Sequence, residues 1–264
     1  MNIYYEQEDL WSRNYLSITD EKIRIEEILK NIPIELESLL DVGCGNGAFL
    51  NTISQNPKFK YLKKTIGIDM SNEALKYVLT EKKQGLISNI PYRDRSFEMV
   101  TSLEVLEHIK VSEFCIALKE LGRVSNKYIL LTVPNNENLD LNLRICPQCK
   151  CHFHPYNHVR SFTKEALSLL FSEYNFKCER IIEIGPTIRT LKAKYFSLRK
   201  LFYPLKPKSN HICPQCDYKG HEKSSSNGSS QANDIKILRR MENLIFGKKQ
   251  TKWILALYKR TLNE

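Results

Sequence analysis

Three groups of residues in this 264-residue sequence have types and spacings that could do chemistry. The first is the glycine-rich segment LLDVGCGNGAFL at residues 39–50, which is followed by Asp69. The second is the acidic segment SLEVLEH at residues 102–108. The third is a pair of identical CPQC sequences at 146–149 and 213–216. They indicate, in turn, a ligand-binding turn, a metal or acid–base group, and a thiolate metal site.

The glycine-rich segment predicts a site for S-adenosylmethionine (SAM). Gly43, Gly45 and Gly47 allow a tight turn that approaches a ligand without an intervening Cβ, and amides at the following helix start can bind a carboxylate. Asp41 can accept hydrogen bonds from an ammonium group. A ligand with both groups is an amino acid, such as the methionine end of SAM. Asp69 lies 22 residues after Gly47, where an acid can accept from both hydroxyls of a ribose.

Two other interpretations of this segment stay open at the level of glycine spacing. Gly43, Gly45 and Ala48 also satisfy the G-x-G-x-x-G/A pattern of nicotinamide dinucleotide sites. A purely structural turn is the third interpretation. Asp41 and the additional Gly47 favour SAM.

Four segments resemble, in order and spacing, the motifs of class I SAM-dependent methyltransferases: LLDVGCGNGAFL, GIDMSNEAL, IPYRDRSFEMVTSLEVLEHI and ILLTVPN. The match covers roughly residues 37–134. The resemblance implies a Rossmann-like α/β fold with a seven-stranded sheet, Asp69 on the ribose and Met70 against the adenine. Many relatives carry an acid where this chain has Leu86, so we expect the adenine contact from the backbone at Ile87 or from Asn89.

The acidic segment has two interpretations. On a helix, Glu104, Glu107 and His108 would share one face and fit a divalent metal. Alternatively, they pack or bond locally without a metal. Together with a later histidine, His158, they resemble the small-RNA 3′-terminal 2′-O-methyltransferases, and the first three also resemble ubiquinone-pathway O-methyltransferases. This implies a catalytic Mg²⁺, Mn²⁺ or Zn²⁺ that lowers the pKa of an acceptor hydroxyl. Without a metal, His108 or His158 would be the general base.

The two CPQC sequences predict a structural zinc site, because four thiolates complete a tetrahedron and leave no open position. Disulfide or redox chemistry is the alternative. The predicted ligands are Cys146, Cys149, Cys213 and Cys216, with Cys151, His152, His154, His211 and His221 as candidate substitutes.

The elements that must position these residues alternate between strand and helix, which predicts a parallel sheet with its ligand-binding loops at one edge. Strands are predicted at 38–42, 65–69, 85–88, 97–102, 127–133, 176–184 and 252–260. Helices are predicted at 20–31, 47–56, 72–81, 104–122 with a break near 109–111, 163–172, and at 188–203, which has an apolar, partly aromatic face and five basic residues.

The predicted organisation is an N-terminal helical segment, 1–36, and a methyltransferase domain, 37–264. Two insertions in that domain, 135–160 and 186–250, would carry the zinc site. No apolar run reaches the roughly 18–20 residues of a membrane span, and the acidic, aromatic N-terminus is unlike a secretory signal. A soluble cytoplasmic protein is therefore expected.

The net charge of +10 favours an anionic partner. Nucleic acid, an anionic membrane surface and a phosphorylated substrate all fit. The basic 188–203 helix could contact any of these or act as a lid with a solvated basic side.

The sequence thus predicts a SAM-dependent O-methyltransferase that acts on a hydroxyl of a sugar-containing or other small acceptor. Its CP-C…H-RSF…L segment resembles a set of bacterial methyltransferases found among genes for surface sugars, so cell-surface saccharide synthesis fits. The alternatives are an RNA 2′-O-methyltransferase and a non-catalytic zinc module that retains SAM.

Overall fold

A computed structural model describes residues 3–191, 211–219 and 247–261 of the chain. The strands in it are β1 (Ser38–Val42), β2 (Lys64–Asp69), β3 (Glu81–Gln84), β4 (Phe97–Leu103), β5 (Ser125–Pro134), β6 (Arg144–Ile145), β7 (His152–Phe153), β8 (Phe176–Leu191) and β9 (Gly247–Arg260). The α-helices are α1 (Glu8–Trp11), α2 (Thr19–Lys30), α3 (Ala48–Ser54), α4 (Asn72–Leu75), α5 (Val111–Val124) and α6 (Lys164–Ser168). Short 3₁₀ turns cover Ile3–Glu6, Tyr15–Ser17, Pro57–Phe59, Leu106–His108, Leu139–Asn142 and Ser172–Tyr174.

Seven strands form one sheet in the order β3-β2-β1-β4-β5-β9-β8. The apolar runs of β1, β2, β4 and β5 place them in its centre, where they pair in parallel. Beyond β5, β9 pairs with it in antiparallel orientation, with Leu131 opposite Ala256, and β8 forms the edge of the sheet. This is the predicted Rossmann-like class I methyltransferase sheet.

The sheet is buried on both faces by two apolar clusters. One cluster includes Phe97, Leu121 and Phe171, and the other includes Ile28, Leu50 and Trp253. α2 contributes Ile25 and Ile28 to the second cluster. Because the sheet is covered on both sides, the carboxyl ends of its parallel strands are the place where ligand-binding loops can emerge.

Several predicted boundaries are wrong. The third strand is Glu81–Gln84 and not 85–88; all four of its side chains are exposed, so it carries no apolar signal. The predicted 72–81 helix is also shorter, Asn72–Leu75. Residues 188–191 continue β8 as strand, so no helix begins at 188. The rest of the predicted 188–203 helix lies outside the described residues.

The chain divides into two compact units. The first comprises Met1–Asn135, Phe162–Pro186 and Lys252–Glu264. The second comprises Asn136–Ser161 and Thr187–Thr251, and it contains the two-stranded pair of β6 and β7 together with all four CPQC cysteines. Within the three described ranges, no helix has the length and apolar character needed to cross a bilayer.

Candidate functional site

The glycine-rich turn follows β1 and adopts the conformation that its sequence requires. Gly43, Gly45 and Gly47 have φ values of 79°, 54° and 77°, in the left-handed region. A Cβ on Gly43 would overlap the side chain of Val105, and a Cβ on Gly45 would lie 2.9 Å from the Trp11 ring. Gly47 then serves as the N-cap of α3. The turn therefore needs glycine both for its backbone angles and for room.

Asp41 lies at the end of β1 and is 2 % exposed. Its Oδ1 accepts a hydrogen bond of 2.6 Å from the Thr101 hydroxyl on the neighbouring β4. Burial raises the pKa of Asp41 to about 7, and the Thr101 hydrogen bond opposes this rise. A cationic group of a ligand beside this buried carboxyl group would stabilise its ionised form.

Asp69 ends β2 and is 7 % exposed. The Gly45 amide donates to its Oδ2 at 2.8 Å, and the Ser71 amide donates to its Oδ1 at 2.9 Å. Burial raises the pKa of Asp69, while these amide hydrogen bonds lower it. Asp69 thus links the glycine-rich turn to the loop after β2. The structure brings Asp41, the glycines and Asp69 to the same edge of the sheet.

The predicted adenine-side residues follow β2 and β3. The carbonyl of Met70 accepts from the Gln84 side chain at 3.1 Å, and the Gly85 amide donates to the carbonyl of Asp69 at 3.0 Å. The Asn89 amide donates to the Leu86 carbonyl at 3.0 Å, which closes a turn over residues 86–89. Ile87 lies inside this turn. Their proposed contacts with adenine stay a prediction.

The N-terminal segment, residues 3–17, lies against the glycine-rich turn, which the sequence analysis did not foresee. Trp11 packs beside Gly45, and the Asn46 side chain donates to the carbonyls of Trp11 and Arg13 at 3.0 and 3.1 Å. The aromatic content of this segment, with Tyr4, Tyr5 and Trp11 in its first eleven residues, was the sequence feature that could have indicated this contact. This segment is therefore part of the candidate site.

Tyr5 and Glu6 join the N-terminal segment to the loop after β2. The Ser71 hydroxyl donates to the Tyr5 carbonyl at 2.7 Å, and the Glu6 carboxylate accepts from the Asn72 and Glu73 amides at 3.3 Å each. Burial raises the pKa of the Tyr5 phenol, with neighbouring negative charges adding to the rise. Its ring lies edge-on to His108, with the centroids 5.9 Å apart.

The acidic segment does not form the predicted helix face. Glu104 follows β4 with φ 58°, in the left-handed region, and only Leu106–His108 form a 3₁₀ turn. Glu107 is 1 % exposed, and its carboxylate lies 3.9 Å from His108 Nε2. The 3₁₀ turn, and not an α-helix, therefore brings the Glu107 and His108 side chains close together.

Arg24 on α2 is a second residue that the sequence analysis missed. Its guanidinium pairs with Glu21 at 2.6 Å, donates to the Thr132 hydroxyl at 3.3 Å and lies 5.3 Å from the Trp253 ring centroid. The pKa of Arg24 is raised: burial lowers it, but the charge of Glu104, followed by that of Glu21, outweighs this. A buried cation thus already balances part of the negative charge of the acidic segment.

The second unit gathers the four CPQC cysteines as predicted from their spacing. The sulfurs of Cys146, Cys149, Cys213 and Cys216 all lie within 4.8 Å of one another, and two of the cross-pair distances are 3.6 Å. A tetrahedral zinc site with bonds of about 2.3 Å places its sulfurs about 3.8 Å apart. The cysteine geometry therefore fits zinc. Cys151 is close as well, with its sulfur 3.2 Å from that of Cys213.

The two CPQC turns have matching backbones. In the first, the Lys150 amide donates to the Cys146 carbonyl; in the second, the Asp217 amide donates to the Cys213 carbonyl, both at 3.0 Å. Lys150 and Asp217 both have positive φ, 62° and 55°. The amide of Cys151 lowers the pKa of Cys149 to about 6. A thiol that ionises readily is suited to metal binding.

His158 also belongs to the second unit, where it contacts an acid that the sequence analysis did not name. Its Nδ1 lies 2.5 Å from Glu137 Oε2, and His154 Nε2 lies 3.4 Å from the other carboxylate oxygen. Burial raises the pKa of Glu137, but the contacts of its carboxylate with the His154 and His158 imidazoles outweigh this and lower the pKa to about 2. The hypothesis that His158 shares a metal with Glu104, Glu107 and His108 stays a prediction.

A family described as a methyltransferase domain matches residues 15–181 of the chain, which is more than half of its length. The chain belongs to this family. The predicted class I methyltransferase resemblance is thereby confirmed.

Three curated relatives illustrate the range of the family. An uncharacterised protein of Methanocaldococcus jannaschii is 30% identical over 153 residues, which are 57% of this chain and 63% of that protein. The small RNA 2′-O-methyltransferase of Arabidopsis thaliana is 25% identical over 189 residues, 60% of this chain and 20% of the relative. A ubiquinone biosynthesis O-methyltransferase of Albidiferax ferrireducens is 26% identical over 98 residues, 33% of this chain and 37% of the relative.

Each alignment therefore spans less than two thirds of the relative's own length. Among solved structures, a SAM-dependent methyltransferase of Thermotoga maritima, described as a possible histamine N-methyltransferase, aligns over 99% of this chain and 100% of its own with a TM-score of 0.56. At 13% identity this likeness shows the fold alone.

Proposed function

We propose that this protein is a SAM-dependent O-methyltransferase whose acceptor is a hydroxyl group on a sugar-containing or other small molecule. The observation that carries the proposal is the joining of two buried carboxyl groups, Asp41 and Asp69, to a glycine-rich turn in a chain of the methyltransferase family.

The residues present fit SAM by their chemistry. Asp41 offers a buried acceptor for the ammonium group of SAM, and the turn at Gly43, Gly45 and Gly47 offers backbone amides for its carboxylate. Asp69 offers carboxylate oxygens for the ribose hydroxyls, with Met70, Ile87 and Asn89 on the adenine side. When bound, SAM supplies an electrophilic methyl group on its sulfonium.

Methyl transfer is an in-line displacement, so alignment of the acceptor oxygen supplies much of the acceleration. The acceptor hydroxyl must also lose its proton. His108 or His158 is the candidate general base, and Glu107 lies beside His108 at the carboxyl end of the sheet. The 98 % burial of the Glu107 side chain limits the access of water to this carboxylate. We expect this environment to favour orientation of a bound hydroxyl.

A more specific proposal is that Glu104, Glu107, His108 and His158 bind a catalytic divalent metal. Carboxylate and imidazole ligands suit Mg²⁺, Mn²⁺ or Zn²⁺, which would lower the pKa of the acceptor hydroxyl. The charge of Arg24 beside the acidic segment competes with such a cation. Activity that vanishes on chelation and returns with Mg²⁺ or Mn²⁺ would support the metal, and activity indifferent to chelators would exclude it.

A structural zinc in the second unit completes the proposal. Its ligands are Cys146, Cys149, Cys213 and Cys216, whose sulfur separations and matching turns support a closed four-thiolate site. Such a site has no open position, so its role is architectural.

RNA 2′-O-methylation is a second candidate, favoured by the similarity to the small RNA 2′-O-methyltransferase and by the net charge of +10. It requires binding to an RNA 3′ end whose affinity falls steeply with salt concentration, because Lys and Arg contacts release counterions.

Methyl-labelled SAM and two pools of substrates, a small-molecule extract and a small-RNA extract, test the acceptor class. Label in an alkali-stable ether of a small saccharide supports the proposal. Label confined to the ribose of RNA 3′ ends favours the second candidate. No transfer to either pool, with SAM still bound, would support the non-catalytic zinc module.

A further inference from the structure

A carboxylate joins two imidazoles in the second unit. Glu137 Oε2 lies 2.5 Å from His158 Nδ1, and its Oε1 lies 3.4 Å from His154 Nε2. The group is shielded from water, since the side chains of His154, His158 and Glu137 are 2 %, 12 % and 18 % exposed. The two imidazole rings stack with their centroids 4.6 Å apart.

The distances favour a Glu137–His158 hydrogen bond, with His154 beside it, over a second metal site. Two ligands of one zinc ion, each bound at about 2.1 Å, lie about 3 Å or more from each other. The Glu137–His158 separation of 2.5 Å is shorter than this, so the two atoms are in direct hydrogen-bonding contact. One ligand atom from each of Glu137, His154 and His158 lies within 4.8 Å of the others, but the direct Glu137–His158 contact leaves no space for an ion between those two atoms.

The hydrogen bonds determine where each imidazole carries its proton. An ionised carboxylate only accepts, so His158 must donate from Nδ1 and carry its lone pair on Nε2 when neutral. The His158 amide approaches His154 Nδ1 at 3.4 Å, which makes that nitrogen the acceptor. His154 then holds its proton on Nε2, the nitrogen that faces Glu137 Oε1.

The backbone holds this group in place. Asn157, between the two histidines, has φ 59°, and its amide donates to the His154 carbonyl at 2.9 Å. Asn136, directly before Glu137, has φ 44°. These left-handed turns fix the directions of Glu137 and His158 without help from a regular helix or strand.

We propose that Glu137 is a positioning residue that holds His158 with its proton on Nδ1 and its lone pair on Nε2, with His154 as a brace. The functional consequence rests on the proposed role of His158 in methyl transfer. As a base or as a metal ligand, a histidine acts through the lone pair of one ring nitrogen. The hydrogen-bond partner of the other ring nitrogen sets the direction of that lone pair.

The test begins with the protonation of His158 in the full-length, zinc-loaded protein. Imidazole ¹⁵N–¹H correlation spectra, assigned with His158→Gln, should show the proton of His158 on Nδ1. In Glu137→Gln one carboxylate oxygen becomes an amide donor, so this state should give way to the Nε2–H form or to a mixture. Asp140→Asn, which removes an exposed carboxylate three residues away, should leave the spectrum unchanged.

The initial rate of methyl transfer from labelled SAM to the small-molecule extract then tests the consequence. At saturating SAM, Glu137→Gln should lower this rate by about 10- to 100-fold with SAM affinity unchanged, and Glu137→Asp, which keeps the charge, should recover part of the loss. Asp140→Asn should match the unaltered protein. Zinc content and the thermal unfolding midpoint of each variant show whether the fold is intact.

The outcomes separate this inference from the proposed function. His158 protonated only on Nε2 in the unaltered protein would overturn the inference, whatever the activity. A shifted proton with full activity in Glu137→Gln would support the positioning and overturn the role of His158 in transfer. Loss of activity with an unshifted proton would overturn the positioning role.

Discussion

The glycine-rich turn of the first unit and the cysteine turns of the second are held by different forces. The first is fixed by positive φ at three glycines, by hydrogen bonds to Asp69 and by a buried sheet behind it. In the second unit, the two-residue strands β6 and β7 flank the first cysteine turn, and the apolar cluster around both turns consists mainly of cysteines with Phe153. The comparison teaches that the first site is preorganised by the fold, whereas the second depends on the metal that its thiols would bind.

The largest expected effect is the loss of metal in Cys213→Ser. The unaltered protein should contain about one zinc per chain, and the variant close to none, because three thiolates and a serine hold zinc far more weakly. Elemental analysis after dialysis measures this, with the exposed Cys115→Ser as the matched control. Full zinc retention in a variant that carries both Cys213→Ser and Cys151→Ser, in which the neighbouring Cys151 thiolate cannot replace Cys213, would contradict the assignment. Since the first unit is organised by its own core, SAM affinity should change by less than about threefold in this variant.

The next effect concerns the preorganised turn. Gly43→Ala places a methyl group where Val105 already lies and adds about 1–2 kcal/mol for an alanine in the left-handed region. We expect at least tenfold weaker SAM binding by calorimetry. Gly122→Ala, in α5, is the control, because its new Cβ would lie 3.2 Å from Tyr174 and the position has no positive φ. Equal SAM affinities for the two variants would count against a turn fixed by glycine.

A smaller effect is the pH dependence of SAM binding that comes from Asp41. Burial raises the pKa of Asp41 to about 7 in the folded protein, so folding favours its protonated form and stability falls as pH rises from about 4 to 7. An ammonium ligand favours the ionised form, so SAM affinity should rise by up to about tenfold per pH unit below pH 7 and level off above it.

The same pH titration on Asp41→Asn isolates this group. The variant should bind SAM more weakly at pH 8 and lose most of the slope, while Glu35→Gln, an exposed control, should keep it. A slope that survives in Asp41→Asn would assign the titration to another group.

The smallest effect is that of the N-terminal segment. Trp11→Ala removes the ring that lies beside Gly45 but leaves the glycine angles and Asp69 intact. SAM affinity should fall by about three- to tenfold, which calorimetric titration can resolve. An unchanged affinity would show that this segment covers the turn without contributing to binding.

The parts of the fold that sequence reasoning could predict are those with buried, apolar strands. The β1 boundaries match because four of its five residues are buried, and Asp41 and Asp69 follow as strand ends. β3 was missed because none of its residues is buried. The helix face proposed for Glu104 and Glu107 was wrong because Glu104 takes a left-handed conformation, which its sequence context does not reveal.

In the candidate site, too, only the residues with a strong local sequence pattern could be predicted. The two CPQC turns were predictable, because identical short spacings constrain their own geometry. Arg24 and Glu137 were not, because their partners lie far away in the sequence: Thr132 is 108 residues from Arg24, and His158 is 21 residues from Glu137. Contacts of this kind depend on tertiary packing, which local patterns do not encode.

The central claim is that the sheet edge around Asp41, the glycine-rich turn and Asp69 binds SAM. Calorimetric titration of S-adenosylhomocysteine into the unaltered protein and into Asp69→Ala tests it most directly, with Glu73→Ala on the neighbouring helix as the control. We expect one site per chain, at least tenfold weaker binding in Asp69→Ala and little change in Glu73→Ala. No binding to the unaltered protein, equal binding to Asp69→Ala, or preferential binding of a nicotinamide dinucleotide would contradict it.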